Sequence, residues 1–237
     1  MNPSLAAVFR KELKLFFNTP VAFIATVIFL VFVGWFFNST LFLENVASMR
    51  TLFTVAPFAF LFFIPALTMK LFSEELKSGT YDLLVSKPVT LPQVITGKFL
   101  ATMAVISVFL APTLMYAVTI GSLAPLDWGT VIGGYLGLIL IGGIYTSVGI
   151  FTSTLTENQI VAFISGFVLC FVLYTADRIG MFVPSAISPF FQYLSVNVHF
   201  TAISRGVIDS RDLVYSFSMM ILFLTFSYLI LLKRKEN

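Results

Sequence analysis

The sequence predicts an all-α integral membrane protein of six transmembrane helices, with both termini inside and an amphipathic interfacial helix ahead of the first span. Three observations predict it. Composition is the first: 58% of residues are hydrophobic, 16% aromatic and only 11% charged, and the mean hydropathy is +0.98. A soluble domain carries about 25% charged residues. Second, six apolar runs approach the roughly 20 residues a helix needs to cross a hydrocarbon core of about 30 Å. Third, the basic residues are sided. With both termini inside, Arg10, Lys11, Lys14, Lys70, Lys77, Lys87, Lys98, Lys233, Arg234 and Lys235 are cytoplasmic, and only Arg50, Arg178, Arg205 and Arg211 are outside. The positive-inside rule selects this orientation.

The elements follow in order within one domain, 1–237. Residues 4–17 have helical periodicity after the Asn2-Pro3-Ser4 start. Leu5, Phe9, Leu13 and Phe16 share one face, and Arg10, Lys11 and Lys14 the other, with Glu12 intruding near the apolar side. This is the pattern of a helix lying in the cytoplasmic interface. Pro20 then permits a sharp turn. The expected spans are 21–37, 53–71, 99–121, 130–153, 160–175 and 213–232. The basic segment before 21–37 has the look of a signal sequence. The run ends in Asn38-Ser39-Thr40 without a small-x-small site, however, so an uncleaved first span is expected. The outer connections 38–52 and 122–129 are short. The outer segment 176–212 is longer than ordinary connections, holds Pro184 and Pro189, and is expected to contain helical turns, with 190–194 dipping back toward the membrane.

The most informative stretch is a polar island at 71–98. Counting Lys70 at its boundary, it gathers Glu74, Glu75, Lys77, Asp82, Lys87 and Lys98 between two apolar runs. Ser73-Glu74-Glu75 reads either as a helix start or as the charged end of span two. Gly79 ends a helix there, because Gly alone enters the left-handed region cheaply. Thr80 caps a new short helix with Tyr81, Leu83 and Leu84 as apolar contacts, closed by Lys87-Pro88. Such a knob, held just off the membrane, suits docking to a partner's groove. A solvated loop packing on its own helices is the plainer alternative.

Other features bound the function. Gly133, Gly134, Gly137, Gly142, Gly143 and Gly149 in span four allow close helix approach in lipid. Packing within the bundle is the expectation, with a subunit interface or a substrate surface as alternatives. Pro57, Pro65 and Pro112 should kink spans two and three. The span centres carry no ionisable residue, which disfavours a proton-coupled carrier. The single His199 has no carboxylate near it in sequence, so no metal or nucleophile site is expected, only a structural or surface role. Glu74-Glu75 lacks the intramembrane Arg and His a glutamate protease would need. Cys170, the one cysteine, excludes an internal disulfide. Gly97-Lys98-Phe99 is not a phosphate-binding loop, so the chain is expected to be no enzyme and to hold no nucleotide by that route.

The pattern Glu75, Gly79-Thr80, Leu83-Leu84, Pro88 and Gly97-Lys98 resembles the first cytoplasmic loop of ABC-2 type transporter permeases. The order of elbow helix, six spans and long outer segment before the last span is similar too, over nearly the whole chain. Residues 195–212, with Arg205-Gly206-Val207-Ile208-Asp209, are similar to permeases of gliding-motility and copper-enzyme-maturation transporters, the gliding-motility type being favoured. The resemblance implies a type V exporter-like fold in the bacterial cytoplasmic (inner) membrane. It implies a separate ATPase that binds ATP and Mg, and a dimer with a second copy or a related permease. It leaves room for an extracytoplasmic partner and gives no role to nucleic acid or to a cofactor on this chain. The loop 72–98 would then couple to the ATPase through Glu74, Glu75, Gly79, Thr80, Tyr81, Leu83, Leu84 and Pro88. A smaller contact would come from Glu157 in the 154–159 turn. Phe9, Arg10, Lys11 and Lys14 would belong to the family's connecting helix. A membrane scaffold without an ATPase partner is the alternative of a different class.

Overall fold

The amphipathic segment forms α1 (Pro3–Asn18), and its apolar stripe packs against the rest of the protein. In the computed structural model, residues 3–43, 48–81, 89–123, 125–185 and 187–236 are described. Phe16 is buried and Phe9 and Leu13 pack on the core, while Arg10, Lys11 and Lys14 are exposed. The helix lies along the start of the third span. Gly97 permits this, since a Cβ there would sit 2.7 Å from Val8 Cγ1. Ser4 Oγ donates to Gln93 Oε1 at 3.1 Å and ties the two helix beginnings together.

After the break at Thr19, α2 (Pro20–Leu43) is the first span. It turns Phe29, Val33 and Phe37 inward and exposes Val27, Val31 and Trp35. α3 (Arg50–Thr68) and α4 (Lys70–Lys77) meet at Met69 and make one apolar helix, Arg50–Lys77. The third span is α5 (Leu91–Leu110), a 3-10 turn (Ala111–Thr113) and α6 (Leu114–Leu123). Proline effects are local. Pro57 sits inside α3 without interrupting it, Pro65 precedes the Met69 junction, and Pro112 lies in the 3-10 turn, as expected of a residue without an N–H. α7 (Trp128–Leu155), α8 (Gln159–Ile179) and α11 (Ser210–Glu236) complete six helices long and apolar enough to cross a membrane.

α7 is the hub, packing on α3, α4, α5, α8, α11 and the short α10 (Val196–Ser204). Its small residues make that possible. Gly149 faces Thr68, where a Cβ would overlap the Thr68 hydroxyl. At Gly137 a Cβ would sit 2.9 Å from the Phe200 ring, and Gly142 has only an ordinary 3.4 Å neighbour in Ile106. Two buried polar groups of α7, the Tyr145 hydroxyl and Thr146 Oγ1, have no hydrogen-bond partner among the described residues. An unsatisfied buried hydroxyl costs about 1–3 kcal/mol. Tyr145→Phe should therefore leave the thermal midpoint of the reconstituted protein unchanged or raised. A marked fall would mean the hydroxyl is bonded in the assembled protein.

The segment 176–212 contains the expected helical turns. α9 (Ser188–Leu194) has no buried side chain, and the part that packs inward is α10, through Val196, His199, Phe200 and Ile203. The reason is periodicity: α10 presents those residues on one helical stripe, whereas Phe190 is exposed and Tyr193, also largely exposed, only lays its ring edge against His199 and Tyr215. His199 is a buried strut. Its Nε2 donates to the Tyr193 carbonyl at 2.9 Å, Nδ1 lies 2.6 Å from Asp212 Oδ1, and its ring stacks on Tyr215 at 3.9 Å. Ser195 Oγ donates to Asp177 Oδ1 at 2.9 Å, and the Tyr215 hydroxyl to the Leu194 carbonyl at 2.6 Å.

Candidate functional site

The polar island is smaller than its charges suggest, because helix continues into it from both sides. α4 carries span two through Glu74 and Glu75 to Lys77, so Ser73-Glu74-Glu75 is the charged end of that span. α5 begins at Leu91, and the Gln93 side chain accepts from the Thr90 backbone N–H at 3.1 Å to start it. Lys98 is therefore two turns inside a helix. Expecting it among solvated loop charges was wrong: its side chain is 1% exposed.

The Lys98 ammonium donates to Glu12 Oε1 at 3.0 Å, Glu75 Oε1 at 3.0 Å and the Leu71 carbonyl at 2.7 Å. These acceptors use its three N–H groups. Its Nζ also lies 4.9 Å from the Phe72 ring centroid. Lys11 Nζ closes a ring, 3.3 Å from Glu12 Oε1 and 3.2 Å from Glu75 Oε1. Two ammoniums and two carboxylates thus join α1, α4 and α5 with no net charge. Burial pulls the Lys11 pKa down, but Glu12 and Glu75 outweigh it, and the net direction is up. A raised pKa keeps Lys11 charged at neutral pH, and its contribution is lost only as pH rises above the ordinary lysine range. Glu75 Oε2 is buried without a hydrogen-bond partner among the described residues. A cleft of about 440 Å³ opens beside the ring, edged by Phe16, Lys70, Glu74, Ser78 and Thr80.

Beyond α4 the chain turns at Gly79, φ 70°, a left-handed backbone with open space around it, so glycine is needed for conformation there and not for room. Thr80 is exposed and helical. Tyr81, expected on a docking surface, is instead 5% exposed, its hydroxyl donating to the Leu231 carbonyl of α11 at 3.0 Å. An amphipathic ring this close to the bundle gains more from apolar burial than from water. Leu83, Leu84 and Pro88 lie outside the described residues. Glu157 is exposed in the turn after α7 and lies 3.8 Å from Arg234, near the end of α11. Both turns are therefore anchored to the same end of the last helix.

Among the expected coupling residues, then, Glu74, Gly79, Thr80 and Glu157 are exposed, while Glu75 and Tyr81 are held inward. The ring itself was not foreseen. Its one legible trace is Glu12, a carboxylate on the apolar side of α1, which can be buried at low cost only beside a cation.

Six apolar helices, one of them a glycine-rich hub, with charge concentrated at the end that carries both termini, define a multi-pass membrane protein. The family model described as ABC-2 family transporter protein matches residues 6–236, and the chain belongs to that family: it is a membrane permease of an ABC transporter. A comparison with curated proteins finds no match.

Proposed function

We propose that this permease is driven by a separate ATPase that docks on the end of the bundle bearing both termini. That end is placed in the cytoplasm of a bacterial cell, with the protein in the inner membrane. The lysine and arginine bias supports the orientation. The observation that carries the coupling is the four-residue charge ring. It clamps into one body α1 and the two helix ends that the 78–90 connection joins in sequence, the end of the second span and the start of the third. Force applied to that connection then acts on three elements together, because rotating one alone would bury an unpaired charge. Exposed Glu74, Gly79, Thr80 and Glu157 offer the ATPase its contact surface, with Leu83, Leu84 and Pro88 completing it. ATP and Mg belong to the partner. A second permease, identical or related, completes the transmembrane unit. The finer assignment to the gliding-motility type is supported only by the resemblance at 195–212.

Thr80 is the place for the test, since it is exposed where Tyr81 is not. A photo-crosslinking residue at Thr80 in native membranes is expected to capture an ABC ATPase, identified by mass spectrometry. Efficient capture of some other protein, with no ATPase recovered, would replace this reading with that of a membrane scaffold.

A further inference from the structure

At the opposite end of the bundle, three of the chain's six arginines line one cavity of about 620 Å³: Arg50, Arg178 and Arg205. They come from three separate places, the first turn of α3, the last turn of α8 and the C-cap of α10. The chain after Arg205 turns at Gly206, whose φ is 84° and where an added Cβ would lie 3.1 Å from the Gly129 backbone. None of the three guanidiniums has a carboxylate within ion-pair distance among the described residues.

The described acids of this end are committed elsewhere. Asp127, the one acid lining the cavity among the described residues, caps α7, accepting from the Gly129 N–H at 2.9 Å and from Thr130 Oγ1 at 2.6 Å. Asp177 accepts from Ser195, Asp212 pairs with His199, and Asp209 accepts from the Arg211 backbone N–H at 2.9 Å. With Asp127 counted, the described residues lining the cavity carry two positive charges in excess. Its Asn197 amide has no hydrogen-bond partner among the described residues, and Phe53, Val131 and Phe200 give it apolar wall.

We infer that this cavity is a binding site for a phosphate-bearing ligand, held by Arg50, Arg178 and Arg205. A planar carboxylate is matched by a single guanidinium fork, whereas a tetrahedral phosphate presents oxygens to several. Two excess positive charges match a phosphate monoester or a pair of phosphodiesters. The apolar wall favours a phosphate with a carbon skeleton over the free ion. The phosphate can arrive on a phospholipid headgroup or on a soluble ester. The inference does not depend on the ATPase reading.

The test uses the full chain and the variants Arg50→Gln, Arg178→Gln, Arg205→Gln and their triple combination, with Arg211→Gln, which does not line the cavity, as control. The lipid arm counts phosphatidylglycerol retained against phosphatidylcholine by native mass spectrometry. The soluble arm follows the thermal shift produced by glycerol 3-phosphate in nanodiscs of phosphatidylcholine alone. The expected result is selective binding in one arm, weakened about threefold or more by each single variant and about tenfold or more by the triple, with the control unchanged. Loss in the lipid arm assigns the headgroup, and loss in the soluble arm assigns the ester. Binding in neither arm, or binding equal in wild type and all single variants, overturns the site. Should the triple fail to fold, the single variants decide.

Discussion

Lys98→Met is expected to destabilise the protein by about 3–5 kcal/mol, the cost of leaving buried carboxylates without their cation. Methionine keeps the unbranched stem and its apolar contacts, so the loss reports charge and hydrogen bonding rather than volume. Glu12 and Glu75 would then share only Lys11, whose side chain is 51% exposed and better hydrated. Thermal denaturation in nanodiscs measures the effect. Glu12→Gln placed on top of Lys98→Met should restore part of the loss, giving a coupling energy above about 1 kcal/mol in a double-mutant cycle. Lys98→Arg should not rescue, because three acceptors surround a compact ammonium and not a planar fork. Lys14→Met, on the exposed face of α1, should stay within about 0.5 kcal/mol of wild type. Full additivity of Glu12→Gln and Lys98→Met would dissolve the ring as a unit, and with it the coupling proposal.

Gly133→Ala carries the second large effect. A methyl group there would run into the Ile203 carbonyl oxygen and lie 3.1 Å from Gly206 Cα. Both obstacles are backbone, so no rotamer change relieves them and α10 must leave α7. Overpacking costs about 1–3 kcal/mol, occasionally more, and this site belongs at the upper end. Ile203, 1% exposed, supplies a local readout: an Ile203→Cys thiol should resist maleimide in the parent and react once Gly133→Ala is added. The same substitution at Gly142 meets only Ile106 methyls at 3.4–3.5 Å. Gly142→Ala should be neutral, or more stable by up to about 0.5–1 kcal/mol, since alanine loses less backbone entropy in a helix. Equal effects at the two glycines would mean that the α7–α10 contact is looser than the structure has it.

Much of the candidate site was legible for a physical reason. Gly79 marks the end of α4 because its left-handed φ is a property of one residue, and Glu157 marks a turn because a charge between apolar runs has to reach water. Arg10, Lys11 and Lys14 separate from Phe9 by helical spacing alone. Glu75 and Tyr81 were misplaced because nothing local says whether a residue at the membrane boundary faces water or a neighbouring helix. Tyr81 turns inward to a carbonyl 150 residues away. Residues 82–88, where Leu83, Leu84 and Pro88 fall, lie outside the described residues.

The sequence by itself determined the six helices, the membrane as solvent, the small-residue hub and the class of protein. Each is a sum over neighbouring residues: hydropathy over a window, glycine spacing along one helix, the order of motifs along the chain. Tertiary structure alone decided that Lys98 is a buried latch, that Gly133 and Gly142 are not equivalent, and that three arginines share one cavity. These depend on which distant residues meet. Glu12 and Lys98 are 86 positions apart, and a pairing across that separation is chosen by how α1 packs on α5, which no local pattern encodes.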